Sequence, residues 1–258
     1  MTKFFLHILC QTMLPTFFMI SGMLFYAAKD KYKDRLATFW KKFDRLMVPY
    51  TPIFTLAAWL NLPAIGSGSA NGHLWFVREL FIIICFSLLM YKVAEKWLMF
   101  LGILMYACFT MQSRLGFVTS EIPTNFLMFY IFFIGGHYAI KYFYLLRRRR
   151  VALTITLLWL VAVILDVQTA YKLLFNLMLL AIIPGTEVKN KVTRSINKNS
   201  FGIYLIHHLF LFAVYHIFFI NSLYINHAVI APIVLFCLSI VFAWIVSDGL
   251  KRAGFKYI

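Results

Sequence analysis

The chain has 258 residues, 62% of them hydrophobic and only 13% charged, with a mean hydropathy of +0.82. Soluble domains are nearer half apolar and a quarter charged, and here long apolar runs recur from end to end, which argues against a soluble domain carrying one anchor. The formal charge of +16 does not point to nucleic acid, because the basic residues sit in short loops between apolar runs, the positive-inside pattern of membrane proteins.

The first apolar run, 4–28, is too long for the core of a signal peptide and is followed by no small-x-small cleavage site, so it is read as a span. Eight more runs follow at 46–61, 74–93, 97–111, 124–141, 151–166, 169–184, 201–220 and 228–248. The expectation is an all-α, polytopic transmembrane helix bundle of about nine spans. No internal repeat, low-complexity tract or long linker divides it, so 1–258 is read as one integral membrane domain. Pro15 and the pair Ser21 and Gly22 predict a kinked or locally open first span. Gly135 and Gly136 predict a close helix approach.

Lys and Arg set the orientation. The loop 29–45 holds Lys29, Lys31, Lys33, Arg35, Lys41, Lys42 and Arg45, whereas 62–73 holds none. Rich and poor loops alternate from there to the tail, which carries Lys251, Arg252 and Lys256. Rich loops are cytoplasmic, so the C-terminus is expected inside and the N-terminus outside. Within 29–45, Leu36, Phe39, Trp40 and Phe43 share a helical face, which predicts an interfacial amphipathic helix. Its positive charges serve either as a topology signal or as a docking surface for an anionic ligand.

The stretch NGHLWFVRELF, 71–81, places His73, Arg78 and Glu79 at the start of an otherwise apolar span. Charges in lipid cost ~2.5–3.5 kcal/mol on the insertion scale, so they face protein or a watery cavity. Arg78 and Glu79 lie ~8–9 Å inside the mouth and point about 100° apart, so they are not expected to face one neighbour squarely. Two readings stand side by side. In one, both residues are buried ion-pair partners of other helices. In the other, Arg78 orients an oxygen-rich group and Glu79 or His73 transfers a proton. Histidines fall into an outer group, His7, His73 and His216, and an inner group, His137, His207 and His208. Each is individually compatible with an ordinary bundle histidine. The four cysteines, Cys10, Cys85, Cys108 and Cys237, lie in separate runs with no metal or disulfide spacing, and no His stands in a metal-binding pattern with a carboxylate, so no metal is expected.

Five motifs occur in order: MLPTFFMISGMLFYAAK (13–29), DRLMVPY (44–50), HLWFVRELF (73–81), MFYIFFIGGHYA (128–139) and NSFGIYLIHHLF (199–210). Together they resemble the acyltransferase-3 family of integral membrane acyltransferases, which includes sugar O-acetyltransferases. The resemblance implies transfer of an acyl group, commonly acetyl, from acetyl-CoA at the cytoplasmic face to a hydroxyl of a cell-surface carbohydrate or lipid-linked glycan. It implies catalytic roles for Arg78, Glu79 and His73, and contacts to the CoA end from Arg35, Lys41, Lys42, Arg45 and His207. Membrane lipid, acyl-CoA and the glycan acceptor are the expected partners, and the cell (inner or plasma) membrane the expected location. The family core has about ten helices, so nine spans match that core minus its first helix. That missing helix normally carries an Arg and a catalytic His, which predicts an N-terminally truncated chain or a mis-assigned start. A transporter or flippase of a lipid-linked or anionic substrate, and an inactive relative, are the competing expectations.

Overall fold

A computed structural model describes residues 2–28, 34–59, 75–115, 121–165, 167–182 and 230–254, together with 195, 199–200, 202–204, 206 and 210. All elements described are helical. They are α1 (Thr2–Ala27), α2 (Arg35–Trp59), α3 (Trp75–Leu89), a 3-10 turn (Met90–Lys92), α4 (Glu95–Leu115), α5 (Glu121–Lys141), α6 (Phe143–Leu146), α7 (Arg149–Ile164), α8 (Gln168–Ile182) and α9 (Ile230–Arg252). Helices occupy eight of the nine predicted runs, and the remaining run, 201–220, falls largely outside the described residues. Among the described residues, no helix is long and apolar enough to cross a membrane. The expected count of spans is therefore not transferred to these helices.

One local expectation is corrected. The basic stretch 29–45 and the run 46–61 are not separate elements, because a single helix continues from Arg35 to Trp59 through Pro49 and Pro52. Proline removes a backbone donor. In the same turns, Thr51 Oγ1 donates to Met47 O at 2.8 Å and Thr55 Oγ1 to Thr51 O at 3.0 Å, which ties both hydroxyls to the helix's own carbonyls. At the other end, Asp34 Oδ1 accepts the Ala37 N–H at 3.0 Å, an N-cap that fixes where α2 begins. α1 runs as one helix of 26 residues with Pro15 inside it.

The chain divides into two compact units, one of residues 1–39 and 82–185, the other of 40–81 and 186–258. In the first, α1 packs along α5. A Cβ on Gly22 would fall onto the Phe133 carbonyl, and one on Gly136 onto the Met19 carbonyl. These two glycines let the backbones touch, and the neighbouring rings then stack, with Phe18 and Phe129 at 4.6 Å and Phe25 and Phe133 at 5.6 Å. Nothing lies within 4 Å of the corresponding position on Gly135, so only the second glycine of the predicted pair makes the approach. α4 lies on the other side of α5, with Gly102 facing Ile131 and Ile134. α7 and α8 close on each other through Ala162 and Tyr171, flanked by Trp159, Val163 and Leu174.

In the second unit, α9 contacts Ser195, Asn199 and Phe210. Trp244 Nε1 donates to Ser195 Oγ at 3.1 Å, Lys251 Nζ to Asn199 Oδ1 at 2.6 Å, and the Phe210 and Phe242 rings meet at 4.7 Å. The helix ends where Gly254, at φ 98°, turns left-handed and its N–H reaches Lys251 O, a conformation glycine adopts without strain.

Candidate active site

The charged pair of NGHLWFVRELF opens α3. Its first turns bury Phe76, Val77, Glu79 and Leu80, which presents three sides of the helix to protein and leaves Arg78 at the margin. Arg78 Nη2 donates to Glu79 Oε1 at 3.0 Å, with Glu79 fully buried and the Arg78 side chain 32% exposed. The guanidinium thus reaches from a buried carboxylate toward accessible space. Among the described residues its buried Nε has no hydrogen-bond partner.

Two tyrosines complete the surroundings. Tyr50, which ends the motif DRLMVPY on α2, lies within electrostatic range of both Arg78 and Glu79. Tyr204, from NSFGIYLIHHLF, lies within range of Tyr50 and packs edge-on against Phe76 at 5.3 Å. Three motifs far apart in sequence therefore converge on one place in the second unit. A guanidinium, a carboxylate and two phenols suit binding of an oxygen-rich group, proton transfer, and donation to a developing oxyanion.

Aromatic residues make up 19% of the chain, and that abundance hides Tyr50 and Tyr204 among them. Their position inside the quoted motifs DRLMVPY and NSFGIYLIHHLF was the available signal. Adjacent on the helix with Cβ atoms about 100° apart, Arg78 and Glu79 bond to each other, a pairing within α3 that helical phase alone does not suggest. His73 and His207 lie outside the described residues, as do His208, His216 and the side chain of His7.

The remaining sequence-derived candidates lie on α2 and split by helical phase. Arg35 and Lys42, seven residues apart, share one side. Lys41 and Arg45, four apart, share another. Arg35, Lys41 and Arg45 are exposed. Lys42 is half-buried, and burial, then the charges of Arg45 and Lys41, hold its ammonium below the ordinary lysine value. One compact anion does not engage all four.

His137 is likewise not grouped with a second histidine among the described residues. In the first unit its Nε2 meets Glu95 Oε2 at 3.0 Å, and Lys141 Nζ donates to the same oxygen at 2.8 Å. The Tyr26 ring covers the imidazole at 4.3 Å between centroids. Glu95 stands before the predicted span 97–111, and the hydrogen bond from Lys141, then that from His137, hold its carboxyl down at about 2. Sequence reading counted only the lysines of this loop and passed over the acid between them. Among the described residues, no three His, Cys, Asp or Glu side chains are placed to hold a metal.

A family model described as an acyltransferase domain matches residues 2–248. The chain belongs to the acyltransferase-3 family. Searches of curated proteins and of solved structures return no match. Membership in the acyltransferase-3 family carries a coarse assignment, acyl transfer by a family of generally membrane-bound proteins.

Proposed function

We propose that the chain is a multi-pass membrane acyltransferase that moves an acyl group, acetyl in the first instance, from acyl-CoA to a hydroxyl of a cell-surface carbohydrate or lipid-linked glycan. The observation that carries this reading is the Arg78–Glu79 pair. It sets a fully buried carboxylate against a guanidinium whose buried Nε has no partner among the described residues, inside a chain matched to an acyltransferase model over nearly its whole length.

Membrane placement is supported by the outward faces of the helices. α4 exposes Trp97, Phe100, Leu104 and Met111, and α7 exposes Leu153, Leu157, Leu158 and Ile164. Such faces suit lipid and are unfavourable in water. The alternation of loops rich and poor in Lys and Arg supports a cytoplasmic C-terminus in a cell-membrane protein.

In the reaction, Glu79, or His73, takes the proton of the acceptor hydroxyl. The oxygen attacks the thioester carbonyl, and the tetrahedral oxyanion is held by Arg78 and the phenols of Tyr50 and Tyr204. Collapse expels the CoA thiolate, which accepts the proton, so charge and atoms balance. Lys41, Lys42, Arg45 and His207 serve the phosphates of CoA in this reading, with acetyl-CoA as co-substrate and no metal.

The test is acetyl transfer from labelled acetyl-CoA into surface glycan by membranes containing the wild-type chain or Arg78→Ala. Incorporation by the wild type and its loss in the variant, at equal membrane levels, supports the assignment. Equal incorporation by both removes Arg78 from the site, and no incorporation by the wild type, with movement of a lipid-linked substrate across the bilayer, establishes a transporter instead.

A further inference from the structure

In the first unit, the start of α2 and the end of α3 flank a cavity of about 940 Å³, a size within the ~300–1,000 Å³ of small-molecule sites. Leu36 and Phe39 line it from α2, and Cys85, Leu88 and Leu89 from α3. Leu88 is buried, whereas Leu36 and Leu89 are 67% and 71% exposed, so the lining runs from protein interior to open surface. Its polar end is formed by Asp34 and Arg35. The Asp34 carboxylate is engaged in capping α2. The Arg35 guanidinium is exposed and makes no ion pair among the described residues. Exposed Trp40, Lys41 and Arg45 follow on the next turns. An apolar trough with a cation at its mouth, beside a Trp and further cations, has the chemistry of an amphiphile with an anionic head.

We propose that this cavity binds an anionic phospholipid of the surrounding bilayer, one acyl chain lying along Leu36, Phe39, Leu88 and Leu89 and the phosphate meeting Arg35. The inference rests on the membrane placement proposed above, but not on acyl transfer. A lipid fits better than the acyl-CoA donor. Among the described residues Arg35 is the one cation that lines the cavity; Lys42 lies two turns further along that side of α2, and Lys41 and Arg45 stand on another side, so these cations do not close together on the several phosphates of CoA. The remaining lining is apolar, with nothing to read an adenine edge.

The test uses the full chain reconstituted into nanodiscs of phosphatidylglycerol and phosphatidylcholine, then released into mild detergent for native mass spectrometry, with no donor or acceptor present. Wild-type protein is expected to retain phosphatidylglycerol over phosphatidylcholine by tenfold or more, after correction for the bilayer ratio. Arg35→Glu abolishes the preference. Leu88→Trp, which fills the cavity, abolishes retention of both lipids, and Leu89→Trp at the exposed rim does the same where Leu88→Trp fails to fold. Arg147→Glu, on an exposed cation away from the cavity, leaves the ratio unchanged. Retention equal to wild type in Arg35→Glu and in the tryptophan variants overturns the proposal. In a second sample with acetyl-CoA added, displacement of the lipid also overturns it and gives the cavity to the donor. Failure to reconstitute overturns the membrane placement itself, whereas absence of acyl transfer in a chain that holds the lipid overturns only the proposed reaction.

Discussion

Arg78 and Glu79, consecutive residues of α3, hydrogen-bond to each other at 3.0 Å although helical geometry points their Cβ atoms about 100° apart. The long arginine side chain bends back along the helix surface, while the glutamate is fully buried. Removing the guanidinium takes the 3.0 Å partner from a buried carboxylate, which costs roughly 1–3 kcal/mol. Arg78→Ala is therefore expected to lower thermal stability as well as acyl transfer. Glu79→Gln, which keeps an acceptor for Arg78, is expected to retain most stability and lose transfer. Melting and transfer measured on the same preparations separate the two effects. A Gln variant with wild-type transfer would remove Glu79 from the proton-transfer step.

The α1–α5 contact yields a comparison between adjacent glycines. Gly136→Ala drives a methyl into the Met19 carbonyl and Gly22→Ala into that of Phe133. Both are backbone atoms that cannot swing aside, so each substitution is expected to cost about 1–3 kcal/mol. At Gly135 there is nothing within 4 Å, and Ala gains up to about 1 kcal/mol of helix propensity. Melting temperatures should fall for the first two variants and hold or rise for the third. A fall of equal size at Gly135 would contradict the helix phase described above.

Glu95 gives a pH dependence with a defined sign. Folding lowers its carboxyl from 4.5 to about 2, so the folded state holds the proton less tightly than the unfolded chain. Its stabilising contribution is complete above pH 4.5 and disappears as pH falls from there toward 2. Because Glu95 and Lys141 are partly exposed, the contribution is about 0.5–1 kcal/mol. The stability difference between wild type and Glu95→Gln should be full at pH 6 and shrink steadily below pH 4.5. A difference that stays constant down to pH 3 would show that the ion pair is not its source.

Tyr50→Phe and Tyr204→Phe keep the rings and remove only the hydroxyls. If those hydroxyls stabilise the oxyanion beside Arg78, each variant loses on the order of a hundredfold in kcat with little change in melting temperature. The readout is kcat against KM for acetyl-CoA. A change confined to KM would assign the phenols to binding.

Much of this architecture was legible in the linear order of residues. Run lengths placed helices at eight of nine positions, because a stretch of apolar residues folds as a helix almost regardless of its neighbours. The boundary between the basic stretch and the run 46–61 was misread because charge changes there while the backbone ladder does not. Gly135 and Gly136 marked a close approach, but which of them touches α1 depends on helix phase, a property of packing.

By itself, the sequence determined the helical class, the ordered motifs of the acyltransferase-3 family, and the presence of charge in an apolar stretch, all of which are local or additive along the chain. Tertiary structure alone decided partners. Glu95 and His137 meet at 3.0 Å from 42 residues apart in sequence, and Tyr50 comes to Arg78 from another helix. Such pairs follow from which helix faces are buried together, and spacing along one chain does not encode that.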